Sequence, residues 1–343
     1  MSFSADQPVK VACLGAGYFS QFHRRSWQRM ETAVLAGVCD ADMAKAEATG
    51  VAAYDELGTM LEAVKPHLLD IIVPPPGHAE AIRTALDYGV RWIICQKPFC
   101  QSLDEARAIT RQAEDAGATV IVHENFRFQP WYRWIKLALE DRLIGDVLQM
   151  TFRLRPGDGQ GERAYLDRQP YFQTMPRFLV HETAVHWIDT FRYLFGDAVA
   201  VYADLRQVNP VIAGEDAGHI SFDHQNGVRT FFDGNRLLDH ASDNTRRTMG
   251  EALIEGTTGT LDLLGDGSVG LRRFGQKERK VMLVANISDE FGGDCVHALQ
   301  SHVIAGMLGE GAFENLASEY LKVIEVEGVI YESSKRRMKL ELV

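Results

Sequence analysis

The chain has 343 residues, 46% of them apolar and 24% charged, and a formal net charge of −11. This length exceeds one small core and predicts two domains, while the acidic balance without any Lys/Arg block excludes nucleic acid as a partner. No apolar run approaches the roughly 20 residues of a membrane span. Residues Met1–Asp6 lack the basic and apolar regions of a leader, and the five cysteines (13, 39, 95, 100, 295) show no CxxC pairing. Together these features predict a cytoplasmic protein.

The first predicted strand, 9–14, runs into Gly15-Ala16-Gly17, and a helix over 18–30 follows at once. A buried strand delivers a dinucleotide pyrophosphate to a helix N-terminus in this way. The first glycine permits the turn, the second lets backbone approach phosphate, and the helix start attracts the charge. Gly15, Gly17, Tyr18 and Phe19 are the predicted contacts; Ser20 stands where a third glycine is usual. The second strand, 33–39, ends in Asp40, placed to hold a ribose hydroxyl and to repel a 2′-phosphate. NAD is therefore expected rather than NADP.

Strands at 68–73, 91–95 and 119–123 alternate with helices at 55–64, 78–88 and 102–116. The strands are continuous apolar runs, which implies burial on both faces and a doubly wound parallel sheet. Pro74, Pro75 and Pro76 stiffen the loop after the third strand, so Pro74 and His78 are expected at the cofactor edge, with a purely structural role for His78 as the competing reading. This Rossmann domain is expected to occupy 1–125.

From 126 to 343 the texture changes to an α+β domain with a large open, mostly antiparallel sheet. Strands are expected at 147–154, 198–206, 217–223, 228–232, 250–255, 259–264, 268–274 and 279–284, with Asn226-Gly227 as a hairpin turn. Helices are expected at 129–142, 178–195, 293–308 and 315–333. On helix 178–195, a step of about 100° per residue puts Glu182, His186 and Asp189 on one face, opposite Ala184, Ile188, Phe191 and Phe195. That polar face would meet a cleft or solvent, with Asp189 bracing rather than reacting. His181 and His186 are five residues apart, which turns them away from each other, so no metal is expected. The segment 153–177 carries arginines 153, 155, 163, 168 and 177 with Tyr165, Tyr171 and Phe172. Arg155, Tyr165 and Arg168 could recognise a carboxylate or phosphate; equally, the loop could be surface, balanced by Asp158, Glu162 and Asp167. Arg127, after the last Rossmann strand, is a further substrate candidate.

Two more motifs complete the pattern: Cys95-Gln96-Lys97-Pro98-Phe99, and Glu182-Thr183-Ala184-Val185-His186 continuing to Gly196. With the glycine turn and Glu255-Gly256-Thr257-Thr258-Gly259, they resemble the glucose–fructose oxidoreductase/inositol dehydrogenase (Gfo/Idh/MocA) family over nearly the whole chain. The resemblance implies that Lys97 lies beside nicotinamide and substrate, with Glu182 and His186 supplying a carboxylate and an imidazole. Gln96, also counted among the cofactor contacts, replaces the usual glutamate, and Glu182 replaces the usual aspartate. It further implies a homodimer or homotetramer formed through the open sheet, and oxidation of a secondary alcohol of a sugar, polyol or sugar acid. An imidazole, with an ordinary pKa of about 6.5, suits the base. A lysine suits stabilisation of the developing alkoxide, or the base role itself where desolvation lowers its pKa. Two other activities fit the same motifs: a sensor without catalysis, and a glycoside hydrolase using NAD transiently.

Overall fold

The structure, a computed structural model, describes residues 8–285 and 290–342. The stretch Met1–Asp6 read above for a leader lies outside the described residues. The elements in order are β1 (Val9–Leu14), α1 (Ser20–Arg29), β2 (Ala33–Cys39), α2 (Met43–Glu47), β3 (Ala53–Tyr54), α3 (Leu57–Val64), β4 (Leu68–Ile71), α4 (His78–Asp87), β5 (Trp92–Gln96), α5 (Leu103–Asp115) and β6 (Thr119–His123). Then come α6 (Pro130–Glu140), β7 (Val147–Leu154), α7 (Val185–Phe195), β8 (Ala198–Arg206), β9 (Ala217–His224), β10 (Arg229–Asn235), β11 (Gly250–Gly256), β12 (Gly259–Leu263), β13 (Val269–Arg273), β14 (Lys280–Leu283), α8 (Cys295–Met307), α9 (Ala317–Arg336) and β15 (Leu340–Glu341).

The chain divides into two compact units, Met1–Asn125 with Val296–Ile324, and Phe126–Cys295 with Glu325–Val343. The continuous second domain expected over 126–343 is therefore interrupted, because residues 296–324 pack with the first unit. Their contacts there are specific. The Ser26 hydroxyl meets His297, Gln300 donates to Asp70, and the Phe313 ring lies on Trp92 with centroids 5.1 Å apart.

Among the described residues the first unit holds a six-stranded sheet in the order β3-β2-β1-β4-β5-β6, every pair parallel. Strand order reverses between β1 and β4, the switch point at whose carboxyl ends doubly wound sheets bind ligands. Short α2 and β3, not expected from sequence, are too brief to show a period. The exposed edge of β6 is covered by residues 315–316: the Val122 amide donates to the Asn315 carbonyl, and Ile121 bridges Leu316 antiparallel. Asn315 is buried at φ +57°, and its amide nitrogen donates to the Glu124 carbonyl at 2.6 Å.

Among the described residues the second unit holds a nine-stranded sheet, β14-β13-β12-β11-β7-β10-β9-β8-β15, antiparallel except for the β10–β7 pair. The Asn226-Gly227 turn joins β9 to β10 as expected, with Gly227 at φ +90°. One face carries Met150, Phe152, Ile220, Phe222, Phe232 and Ile254 inward, and α7 lies on it through Trp187 against Phe152 (4.2 Å) and Phe191 against Phe222 (5.7 Å). The opposite face is open.

The largest departure from the sequence reading falls on residues 178–195. The first part, Leu179–Ala184, is a π-helix, and only α7 is α-helical. Because the π-turn is wider, the 100° spacing does not carry from Glu182 to His186.

Asn315→Ala removes a buried hydrogen bond and puts a Cβ-bearing residue without a local polar side chain in the left-handed region. We expect a loss of about 2 kcal/mol in urea unfolding; a change under 0.5 kcal/mol would show that the edge cover contributes nothing.

Candidate functional site

At the end of β1 the chain must turn beneath β4. Gly15 adopts φ +106°, and a Cβ there would stand 2.7 Å from the Ile72 carbonyl oxygen, so close approach of the two strand ends demands glycine. At Gly17 a Cβ would meet open space, so this glycine is not required by packing and leaves backbone bare for a ligand. Ser20, in place of a third glycine, is buried, and its hydroxyl donates to the Gly17 carbonyl at 2.6 Å. Tyr18 is exposed and Phe19 half-buried at the mouth of α1. Asp40 is oriented by two amides: Ala16 N–H donates to one carboxylate oxygen at 2.7 Å and Asp42 N–H to the other at 2.9 Å. The carboxylate thus stands against the glycine turn. A bare turn, a helix start and an oriented carboxylate fit a dinucleotide without a 2′-phosphate.

The proline loop is stiff for an additional reason. His78 is fully buried and its Nε2–H donates to the Val73 carbonyl at 2.7 Å. Burial pushes its imidazole down to about 4, against the upward pull of Val73 and Glu105. His78 is therefore a neutral brace of the loop rather than a cofactor contact, which corrects the first expectation; Pro74 itself is exposed. Lys97 is half-buried and follows β5, joined to Pro98 by a cis peptide. The Gln96 side chain turns into the buried layer instead of toward a ligand, meeting His23 at 2.8 Å and His123 at 3.2 Å.

In the second unit, Glu182 and His186 arise from the π-turn and α7. The π-turn is held at its start by Glu215: one carboxylate oxygen accepts from the Phe178 and Val180 amides, each at 3.1 Å, and from the Tyr331 hydroxyl at 2.6 Å. Burial, then Glu215 and Glu327, drives the Tyr331 phenol up, so it remains a donor. No spacing rule finds Glu215, since its partners lie 35 to 116 residues away.

The residues after β6 complete the frame. Phe126 stacks on the His186 imidazole, centroids 3.8 Å apart and planes 3° off parallel. Arg127 clasps Asp189 with both nitrogens, at 2.8 and 2.5 Å. Asp189 is 1% exposed and His186 7%, while Glu182 is half-buried, so of the two settings expected for this polar face solvent is excluded for His186 and Asp189. Arg127 is thus held by Asp189 through two of its three guanidinium nitrogens. Because an unpaired buried carboxylate costs several kcal/mol, this pair locks the turn to α7.

The arginine-rich segment is held by acids within it and on the sheet. Arg155 is buried, bonding the Asp233 carboxylate and the Leu154 and Asp233 carbonyls. Arg168 and the buried Arg236 converge on Asp158, to which Tyr165 also donates at 3.0 Å. Burial pushes the Asp158 carboxyl up, but the two guanidiniums and the phenol outweigh it and hold it low. Arg155 and Tyr165 are therefore internal struts, and the half-buried Arg168 is paired with Asp158, which favours the structural reading of this segment. One residue of the segment was passed over. Tyr171 is exposed, and partial burial with the charge of Glu182 pushes its phenol up to about 12. Among the described residues no three His, Cys, Asp or Glu side chains gather to hold a metal, and no helix is long and apolar enough to cross a membrane.

The comparisons with known proteins agree with this geometry. The model of the GFO/IDH/MocA oxidoreductase family, NAD-binding Rossmann fold, matches residues 9–124, and that of the GFO/IDH/MocA C-terminal domain matches 132–262. D-apiose dehydrogenase of Paraburkholderia graminis is 31% identical over 347 aligned positions, covering 97% of this chain and 89% of that protein. Inositol 2-dehydrogenase of Rhizobium meliloti is 27% identical, covering 60% and 64%. The crystal structure of an oxidoreductase from Agrobacterium radiobacter with NAD+, L-tartaric acid and magnesium superposes with a TM-score of 0.88 at 25% identity, covering 98% of both chains. Levoglucosan dehydrogenase with NADH and levoglucosan shares the fold, with a TM-score of 0.79 at 19% identity over 98% and 99%.

The His78 imidazole binds its proton more weakly folded than unfolded. Its contribution to stability is full above about pH 6.5 and is lost as pH falls toward 4. His78→Gln keeps an N–H for Val73 but cannot titrate. Its Tm should fall less than that of the unsubstituted chain between pH 7 and 5 by calorimetry, and an equal fall in both would disprove this account.

Proposed function

The chain belongs to the Gfo/Idh/MocA oxidoreductase family and is an NAD-dependent dehydrogenase acting on CH–OH groups, and we propose that it oxidises a secondary alcohol of a sugar, polyol or sugar acid, or reduces the corresponding ketone. The observation that carries this reading is His186: an imidazole nearly buried, its plane set by Phe126, on the same helical run as a carboxylate. Whole-length similarity to a D-apiose dehydrogenase supports the carbohydrate class.

In this proposal the Gly15–Phe19 turn and the start of α1 hold the pyrophosphate, and Asp40 accepts from the adenosine ribose. Bound NAD supplies the hydride acceptor. His186 takes the hydroxyl proton while Lys97 stabilises negative charge on the reacting oxygen, or Lys97 takes the proton itself. Glu182 orients or tunes whichever group is the base. Tyr171, beside Glu182, offers an exposed aromatic surface and a donor to substrate. The cytoplasmic location belongs to the same proposal; all five cysteines are buried free thiols.

Fluorescence titration with NADH and NADPH should show tighter NADH binding, weakened about tenfold by Asp40→Ala. A panel of sugars, polyols and sugar acids should then reveal turnover that Lys97→Ala and His186→Ala lower by about 10²–10⁴. Binding of neither cofactor, or unchanged turnover in both variants, would refute the assigned roles.

We further propose that the open face of the nine-stranded sheet joins two copies, giving a homodimer or homotetramer. Register sets Tyr202, Ser221, Phe231, Thr151, Leu253 and Asp262 in one row across this face, and Tyr202, Phe231 and Leu253 are exposed. Light scattering should give a dimeric or tetrameric mass that Phe231→Asp with Leu253→Asp reduces to 38.3 kDa; a monomer without substitution would overturn the assembly.

A further inference from the structure

Next to Lys97 lies a layer of buried polar side chains to which no role has been given. Asp70 on β4, His23 on α1, Gln96 at the end of β5 and His123 at the end of β6 are all at most 8% exposed. One Asp70 oxygen receives His23 Nδ1 at 2.8 Å, Trp27 Nε1 at 2.8 Å and Gln300 Nε2 at 3.2 Å. Gln96 Nε2 faces His23 Nε2 at 2.8 Å and His123 Nδ1 at 3.2 Å, and Gln96 Oε1 accepts from the Lys97 amide at 3.2 Å.

The protons in this layer follow from one fixed donor. A backbone N–H can only donate, so the Gln96 atom that meets Lys97 N is the carbonyl oxygen. The other atom is then the NH2 group, whose two hydrogens point at two imidazole nitrogens. Both nitrogens must carry lone pairs. His23 is therefore protonated on Nδ1, where Asp70 accepts, and His123 is protonated on Nε2. Each ring carries one proton, and the formal charge of these four side chains is that of Asp70 alone.

We propose that Gln96 is a positioning residue whose carboxamide sets the tautomers of His23 and His123, so that the layer anchoring the Lys97 main chain carries no ionised histidine. The functional weight of this anchor rests on the role of Lys97 proposed above; the proton arrangement does not. A glutamate at 96 would still accept from Lys97 N but has no N–H for either ring. Its oxygens would face two lone pairs; a tautomer change can relieve one contact, and relieving both requires one added proton, which an imidazole takes up in preference to the more acidic carboxyl. Among the described contacts, position 96 and its immediate partners meet His23 and Trp27 from α1, Asp70 from β4, His123 from β6 and Gln300 from α8, and the buried thiols of Cys13 and Cys95 lie within the reach of the Asp70 charge. Among these groups only the histidines meet position 96 through a nitrogen able to take up a proton. The departure from the usual glutamate thus changes the proton content of this layer by one.

The test is long-range imidazole 1H–15N correlation on the full-length chain at pH 7.5, with His23→Asn and His123→Asn for assignment. The unsubstituted chain should show His23 protonated on Nδ1 and His123 on Nε2. Gln96→Glu should convert one of the two rings to the doubly protonated form, a gain of one proton per chain that a space-filling role would not produce. The opposite tautomer of either ring, or an imidazolium, in the unsubstituted chain would overturn the proposal, as would two singly protonated rings in folded Gln96→Glu. Should Gln96→Glu fail to fold, Gln96→Met decides. It should leave His23 held by Asp70 while His123 samples both tautomers, and an unchanged His123 would count against the proposal. NADH titration of the unsubstituted chain tests the dehydrogenase reading separately, since loss of binding there leaves the tautomers as they are.

Discussion

A carboxylate with no exposure to water, Asp70, organises the first unit. It sits in the middle of the parallel sheet, where an ionised group is costly unless several donors meet it. Those donors come from α1, through His23 and Trp27, and from α8, through Gln300. Satisfying one oxygen therefore fixes a helix adjacent to the glycine turn and recruits a segment from more than 200 residues further along the chain. The glycine turn leads directly into that same helix. Position 96 is coupled to Asp70 through His23, so the backbone bearing Lys97 is tied to the same charge.

The second unit solves an analogous problem with a different device. The helix bearing His186 is clamped at two levels by consecutive residues, Phe126 under the imidazole and Arg127 on Asp189. Its approach is held by Glu215, which serves two amides of the wider turn and a tyrosine hydroxyl with one oxygen. A side chain proposed for proton transfer gains little from a low-energy rotamer alone. It gains from neighbours that allow only one ring plane.

What was legible in the sequence was local. Gly15, Gly17 and Asp40 could be read because turn chemistry and strand length place them within one βαβ unit, and the hairpin at Asn226-Gly227 because two residues define it. Strand texture separated the parallel from the mostly antiparallel sheet. What was hidden depends on partners far along the chain. Arg155 stood open between ligand and structural readings because its partner Asp233 lies 78 residues on, whereas Asp158, ten residues from Arg168, was already in view. The π-turn needs Glu215 and Tyr331, and without them 178–195 reads as uniform helix. His78 stood between two readings because its loop position suggested a ligand, while its burial, invisible in sequence, makes it a brace. The family motif did locate Gln96 as unusual, but the reason it matters lies in His23 and His123, brought together only by strand order.

The interruption of the second unit by residues 296–324 has a consequence for biosynthesis. A nascent chain that has delivered β1 to β6 still lacks Gln300 for Asp70, and its β6 edge has no cover until Asn315 and Leu316 emerge. At roughly 5–20 residues per second, the ribosome needs about 10–40 s to add the roughly 200 residues between Asn125 and Ile324. For that interval an unfinished parallel sheet with an open edge waits in a crowded compartment, where it could pair with another strand. N-terminal-first folding is thus closed to this protein, and the completion of its nucleotide-binding half is timed by the synthesis of almost everything else.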